Sequence, residues 1–256
     1  MSDANINGGT VPLRTPARER APAPGYSYRI VTVAEALGHV MSRRWDIPPF
    51  QRTFIWSAAQ VCDLADSLWR NYPVGPLLLW RDPLDKRPHN RWIADGQHRL
   101  TALCLLFGHQ PPWWPAPGNP ERRFAPIRFY FNPHRRNPFT FGAESDDGIR
   151  VDELGALSPA ENGSHQLQFE RIVRRFRKPG DLNIGLGDIN EQLWAVTAMK
   201  TRTLAAAVVD HEAIEMLEIF ERLNSRGIKF RRLLLKMIRQ AAAYRARWLR
   251  ISGATP

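Results

Sequence analysis

Cysteine is scarce in this sequence. Cys62 and Cys104, the two cysteines in 256 residues, exclude a disulfide scaffold. Neither stands in a CxxC or Cys/His spacing that would hold structural zinc. Long apolar runs are missing too. None approaches the ~20 residues that a membrane-spanning helix needs, and the first 25 residues lack the apolar stretch of a secretory signal. The expectation is a cytoplasmic protein with no membrane partner. There is no GxxxxGK[ST] loop, so any phosphate cradle must be built another way. The C-terminal part shows no DxH…N/H nuclease pattern. Acidic residues vanish at that end: from Arg222 to Pro256 there are ten Lys/Arg and no Asp or Glu. The residues up to Glu221 hold 26 basic and 25 acidic side chains, so nearly all of the formal charge of +11 sits in the last 35 residues. Lysine is rare, 5 against 31 arginines. That bias suits bidentate phosphate binding, and codon composition can produce the same bias.

What is present is globular. Hydrophobic residues make up 43% and charged residues 24%, a balance that builds a core rather than a disordered chain. Residues 1–25, rich in Pro, Gly, Ala and Arg, read as a flexible leader. A mixed core is expected over 26–145. A mostly helical region with one returning strand is expected over 146–256. Strands are predicted at 28–33, 76–80, 91–95, 127–131, 139–142 and 203–210. Helices are predicted over Val33–Met41, from an N-cap at Ser57 to about Asn71, and from Asp95-Gly96 to Gly108. Further helices are predicted within 150–200, over 214–227 and over 231–249. Val61, Leu64, Ala65 and Leu68 mark one helix face; Leu100, Leu103, Cys104 and Phe107 mark another. The fold class is α+β.

The densest chemistry is Asp95-Gly96-Gln97-His98-Arg99, where a strand becomes a helix. Gly96 permits a tight turn, and the first helical N–H groups form an anion-attracting terminus. Arg99 adds a planar donor fork, His98 a ring and Gln97 an amide. Asp95 could cap the helix, hold a divalent ion or orient a water. A plain N-cap with a solvated first turn accounts for the same residues. In Pro49-Phe50-Gln51-Arg52, with Trp56 beyond, the aromatics fit either a stacking surface or core, and Arg52 fits either a phosphate or a surface ion pair. Asn224 and Gly227, closing FERLNSRG (220–227), match ordinary helix C-cap chemistry. In the last helix Arg232, Lys236 and Arg239 fall opposite Leu234, Met237 and Ala241, which gives one packing face and one basic face suited to a nucleic-acid backbone or an acidic partner. Trp113 and Trp114 fit a stacking lid or a loop clamped onto the core. Cys62 and Cys104 read as core thiols.

Several separated segments together resemble a known family: IPPFQRTFIW (47–56), NYPVGPLLLW (71–80), WIADGQHRLTAL (92–103) and FERLNSRG (220–227). Their order and spacing are similar to the N-terminal domain of GmrSD-type modification-dependent restriction systems, within the ParB/sulfiredoxin-like superfamily. The resemblance implies a mixed sheet with flanking helices. It also implies an NTP-hydrolysing or DNA-sensing subunit of an anti-phage restriction system, with DNA and a separately encoded nuclease subunit as partners. Under that reading the 50–52 and 95–99 segments meet around a shared anion pocket. Phosphates of a nucleoside triphosphate rest on the Gly96 turn and Arg99 neutralises their charge. Asp95, through Mg²⁺, positions water with help from Gln97 or His98. Phe50, Gln51 and Arg52 line the pocket, and Asn224 and Arg226 approach from the other side. His98 stands where the family usually has a second Gln, as in the related phosphorothioation regulators. No Cys occupies 95–99, which argues against sulfiredoxin activity. Two other readings stay open: a non-enzymatic module that senses modified DNA, and a ParB-like nuclease that cuts DNA at the DGQHR turn.

Overall fold

The structure, a computed structural model, describes residues 25–48, 51, 53–82, 90–115, 128–142, 147–157, 163–176 and 186–212, and the single positions 215, 216, 218, 219 and 222. Strand β1 (Tyr26–Thr32) runs into helix α1 (Val33–Met41) through a reciprocal cap. The Thr32 hydroxyl accepts from the Glu35 N–H at 3.1 Å, and the Glu35 carboxylate accepts from the Thr32 N–H at 2.7 Å. Strand β2 is only Trp45–Asp46. Helix α2 (Ala58–Trp69) opens on the same kind of box. Ser57 accepts from Gln60 N–H at 3.3 Å, and the Gln60 amide oxygen accepts from Ser57 N–H at 2.8 Å.

Strands β3 (Leu77–Trp80) and β4 (Arg91–Asp95) follow, and β4 leads directly into helix α3 (Gln97–Leu106). Strand β5 (Arg128–Phe131), β6 (Phe139–Gly142) and β7 (Ile149–Arg150) form a small antiparallel sheet in the order β6-β5-β7. The sequence signalled strands β5 and β6 but not β7, whose two residues are too few to show alternation. Helices α4 (Val151–Ala156), α5 (Gly163–Phe176) and α6 (Leu186–Thr197) fill the helical region, and a 3-10 turn (Ala198–Thr201) delivers strand β8 (Thr203–Val209). The helix expected over 214–227 is described at Glu215, Met216, Glu218, Ile219 and Arg222, all helical. The helix expected over 231–249, with Arg232, Lys236 and Arg239, lies outside the described residues.

The main sheet is mixed, with the order β1-β8-β3-β4-β2. Strand β8 is antiparallel to β1 from Tyr26↔Val209 to Thr32↔Thr203 and parallel to β3, while β4 is antiparallel to β3 and parallel to β2. The sheet therefore draws strands from both sides of the expected boundary at residue 145. One face, with Leu77, Leu79, Ile93, Leu204, Ala206 and Val208, belongs to the main core under α1, α2 and α3. The other face gathers Leu78, Trp80, Ala94, Val209 and Met216. Helix α3 buries more than the predicted stripe. Thr101, Ala102 and Leu106 are buried along with Leu100, Leu103 and Cys104. The reason is its position, since α1, α2 and β5 all pack on it. The fold is α+β, as the sequence pattern predicts.

Replacing Ser57 by alanine removes one half of the α2 cap. We expect a loss of about 1 kcal/mol in equilibrium denaturant unfolding.

Candidate functional site

The centre of the site is the corner between β4 and α3. Gly96 stands there at φ +96°. Only glycine enters that region without strain, and space demands it as well: a Cβ on Gly96 would lie 2.4 Å from Leu77 Cδ2. The corner expected to cradle phosphate is thus itself buried, with Leu77 packed against it. The solvent-facing member of the motif is Asp95, whose side chain is 52% exposed against 17% for Arg99. The N-cap is Gly96 itself, so Asp95 does not take that position.

Instead Asp95 meets Arg99 one turn along α3. Arg99 Nη2 donates to Asp95 Oδ2 at 3.1 Å, and Nη1 donates to the Val74 carbonyl at 3.1 Å. The chain before β3 wraps this guanidinium. Gly75 turns at φ +80°, and a Cβ there would stand 3.0 Å from Arg99 Nη1. Burial pulls the Arg99 guanidinium below its ordinary pKa and Asp95 partly offsets that pull; arginine stays charged regardless. One half-buried cation thus holds both the Asp95 carboxylate and the 73–75 turn. Leu77, Val74 and Gly75 were not singled out from sequence as site residues, although they lie within the matched segment NYPVGPLLLW.

Of the tripeptide 50–52 the structure describes Gln51 alone; Phe50 and Arg52 lie outside the described residues. Gln51 Nε2 donates to the Ala94 carbonyl at 2.9 Å, one residue before Asp95. Strand β2 pairs with β4 at Arg91 and Trp92, and among the described residues no strand flanks the edge beyond. The Gln51 amide takes that place, satisfying a carbonyl that burial would otherwise make costly. Asn224 and Arg226 lie outside the described residues.

Beyond the corner the first turn of α3 enters an aromatic group. The His98 ring lies 5.6 Å from Phe54 and 6.1 Å from Trp56, and Phe54 lies 5.8 Å from Trp114. Gln97 is buried. The Trp113–Trp114 loop is clamped: the Trp113 indole N–H donates to the buried Thr101 hydroxyl at 2.9 Å. Cys62 and Cys104 are free, buried thiols, each pushed up to about 12 by burial. Among the described residues no group of three His, Cys, Asp or Glu could hold a metal ion, and no helix is long and apolar enough to cross a membrane.

A family model, GmrSD restriction endonuclease N-terminal domain, matches residues 35–233, more than three quarters of the chain. The chain belongs to the GmrSD N-terminal domain family. It is accordingly a component of a restriction system. A comparison with curated proteins found no match. The match to the GmrSD family spans β2, the whole β4–α3 corner and the returning strand β8, so the family sequence covers the elements that build this site.

Two outcomes follow from the geometry. Gly96→Ala should destabilise the fold by at least about 1–2 kcal/mol from the left-handed backbone alone, with a further loss from the Leu77 clash. Adding Leu77→Ala should leave the backbone part in place, as read by denaturant unfolding of the single and double variants. Burial keeps both thiols protonated at pH 8 and out of reach of reagent, so both should resist iodoacetamide in the native protein and react on unfolding, as followed by intact mass.

Proposed function

We propose that this GmrSD-family chain is the nucleoside-triphosphate-hydrolysing, DNA-responsive subunit of a modification-dependent restriction system, working at the β4–α3 corner. The observation that carries the reading is an exposed carboxylate, Asp95, held by the half-buried Arg99 guanidinium beside the glycine-capped start of a helix. The N-terminal dipole and N–H groups of α3 draw the triphosphate. Asp95 accepts a hydrogen bond from the attacking water and orients it toward the terminal phosphorus. Arg99 serves as a positioning residue, since its fork already holds Asp95 and Val74. His98 and Gln97 sit in the same helical turn and assist from there. The reading further assigns Phe50, Arg52, Asn224 and Arg226 to nucleotide or DNA binding. Arg232, Lys236 and Arg239 follow the DNA backbone. A separately encoded nuclease subunit makes the cut.

The residues at the corner test the Mg²⁺ expectation. They offer one carboxylate, with a guanidinium 3.1 Å from it. That donor set suits an ion carried in on substrate phosphates and does not suit an all-protein cage. Bound there through Asp95, Mg²⁺ would supply charge neutralisation at the phosphates.

A second reading rests on the aromatic group. His98, Trp56 and Trp114 are only half-buried beside the corner, which suits stacking on a base or sugar and favours a DNA-sensing module without turnover.

The test is phosphate release from ATP, GTP, CTP and UTP, with and without DNA. The full chain should release phosphate from at least one. Asp95→Asn should lower kcat by ~100-fold or more, and Arg99→Lys should lower kcat with a smaller effect on KM. Unchanged release by Asp95→Asn would remove Asp95 from the chemistry. Binding of modified DNA with no phosphate release by any nucleotide would select the second reading.

A further inference from the structure

Strand β1 ends the main sheet, and its outer edge is open among the described residues. Its pairing with β8 shows which backbone groups face that edge. The Asp210 N–H donates to the Gly25 carbonyl at 2.8 Å, and the Val33 N–H donates to the Arg202 carbonyl at 2.9 Å. Both bonds continue the β1–β8 register, which runs unbroken from Tyr26↔Val209 to Thr32↔Thr203. The odd-numbered residues of β1 therefore carry the bonds to β8, and the even-numbered ones turn their N–H and C=O outward. Thr32 fits this phase, since its N–H reaches the Glu35 carboxylate rather than β8. Tyr26, Tyr28 and Ile30 are left presenting a row of outward N–H and C=O groups.

The same three residues expose apolar side chains. Tyr26 is 56%, Tyr28 75% and Ile30 76% exposed, and the two tyrosine rings meet edge to face with centroids 5.7 Å apart. They share the sheet face of Leu78, Trp80 and Val209. Proteins usually blunt such edges with very short strands, charges, prolines or bulges. The opposite edge of the sheet is blunted, because β2 has only two residues. β1 has seven residues and no proline, and its single charged residue, Arg29, alternates onto the other face.

An open ladder takes a strand as its partner. The flanking sequence is ill suited to supply one: residues 1–24 carry Pro12, Pro16, Pro22 and Pro24, and the segment 231–249 patterns as a helix. A second copy of β1 fits. Antiparallel pairing about a two-fold axis at Tyr28 sets Tyr28 opposite Tyr28 and Tyr26 opposite Ile30, which uses every outward group of the row on both chains. Arg29 then falls opposite Ser27, whereas an axis at Arg29 would set the two arginines against each other. The assembly closes on itself, because each copy has one such edge.

We propose that β1 is a dimerisation edge, through which two copies of this chain join their five-stranded sheets into one continuous sheet. The same register fixes the distance between the two β4–α3 corners. Tyr28 pairs with Ala207, Ala207 with Leu78 and Leu78 with Asp95, so Asp95 lies on the row that crosses the axis. From β4 of one copy to β4 of the other there are about seven inter-strand spacings, or about 34 Å. That is about one turn of duplex DNA. The match matters only if the corner responds to DNA as proposed above; the dimer stands without it.

Sedimentation equilibrium of the full chain over about 1–200 µM should show reversible monomer–dimer exchange, the small interface placing it in the micromolar range. Tyr28→Lys sets two ammonium groups against each other at the axis and should weaken the dimer about 5-fold or more. Because Tyr28 is exposed, the dilute monomer should melt at the wild-type temperature. Ser27→Asp meets Arg29 twice across the interface and should tighten the dimer about 3-fold, and less at high salt. With oxidised glutathione, Tyr28→Cys should cross-link across the axis, where paired Cα atoms are about 5.5 Å apart, and Arg29→Cys should not. The native Cys62 and Cys104 are buried and stay out of this reaction. A chain that remains monomeric over the whole range would overturn the proposal. So would a dimer with wild-type affinity in both Tyr28→Lys and Ser27→Asp, or one cross-linked by Arg29→Cys and not by Tyr28→Cys. If Tyr28→Lys lowers the melting temperature of the monomer, Ser27→Asp and the two cysteine variants decide.

Discussion

A single guanidinium ties the working corner together. Arg99 sits on the first turn of α3, and its two terminal nitrogens reach in different directions, one to the Asp95 carboxylate and one to the Val74 carbonyl. That fork ties the 73–75 turn to the end of β4, alongside the β3–β4 pairing of Leu78 with Asp95. The two glycines beside it, Gly75 and Gly96, are both in left-handed conformations, and a Cβ on either would crowd Arg99 or Leu77. Backbone shape and side-chain charge therefore specify each other. Even a half-buried cation is expensive unless its donors are used; here they hold the one exposed carboxylate of the motif in place.

This arrangement alters what the DGQHR motif means. Gly96 shapes the turn against Leu77 and does not itself face solvent, while Asp95 does. The motif thus divides into residues that build the corner, Gly96 and Arg99, and a residue presented by it, Asp95. Gln51 belongs with the builders, since it completes the β4 edge that β2 is too short to cover. Membership of the GmrSD family gives this division a setting in DNA restriction.

Much of the fold was legible because its signals are local. Thr32 with Glu35 and Ser57 with Gln60 are capping boxes, each readable within four residues, and they start helices where the pattern placed them. The run Arg91–Asp95 followed by glycine marked the strand-to-helix corner to the residue. What escaped is non-local. Leu77 packs on Gly96 from another strand, Arg99 reaches back 25 residues to Val74, and Gln51 reaches 43 residues to Ala94. No spacing rule contains such pairs. The stripe on α3 was underestimated for the same reason: a helix enclosed on three sides buries Thr101 and Ala102, which an amphipathic reading assigns to the surface.

The position of β8 carries a consequence for how the protein is made. It lies between β1 and β3 and, among the described residues, is the only strand paired with β1 and the last of eight in chain order. On a ribosome adding about 5–20 residues per second, roughly 6–26 s pass between the emergence of Trp80 and that of Val209. Throughout that interval Tyr26, Tyr28 and Ile30 have no ladder to join, and one edge of β3 stands open. The nascent chain carries an unpaired, apolar template for as long as its keystone is untranslated, so the yield of native protein depends on what shields that edge in the meantime.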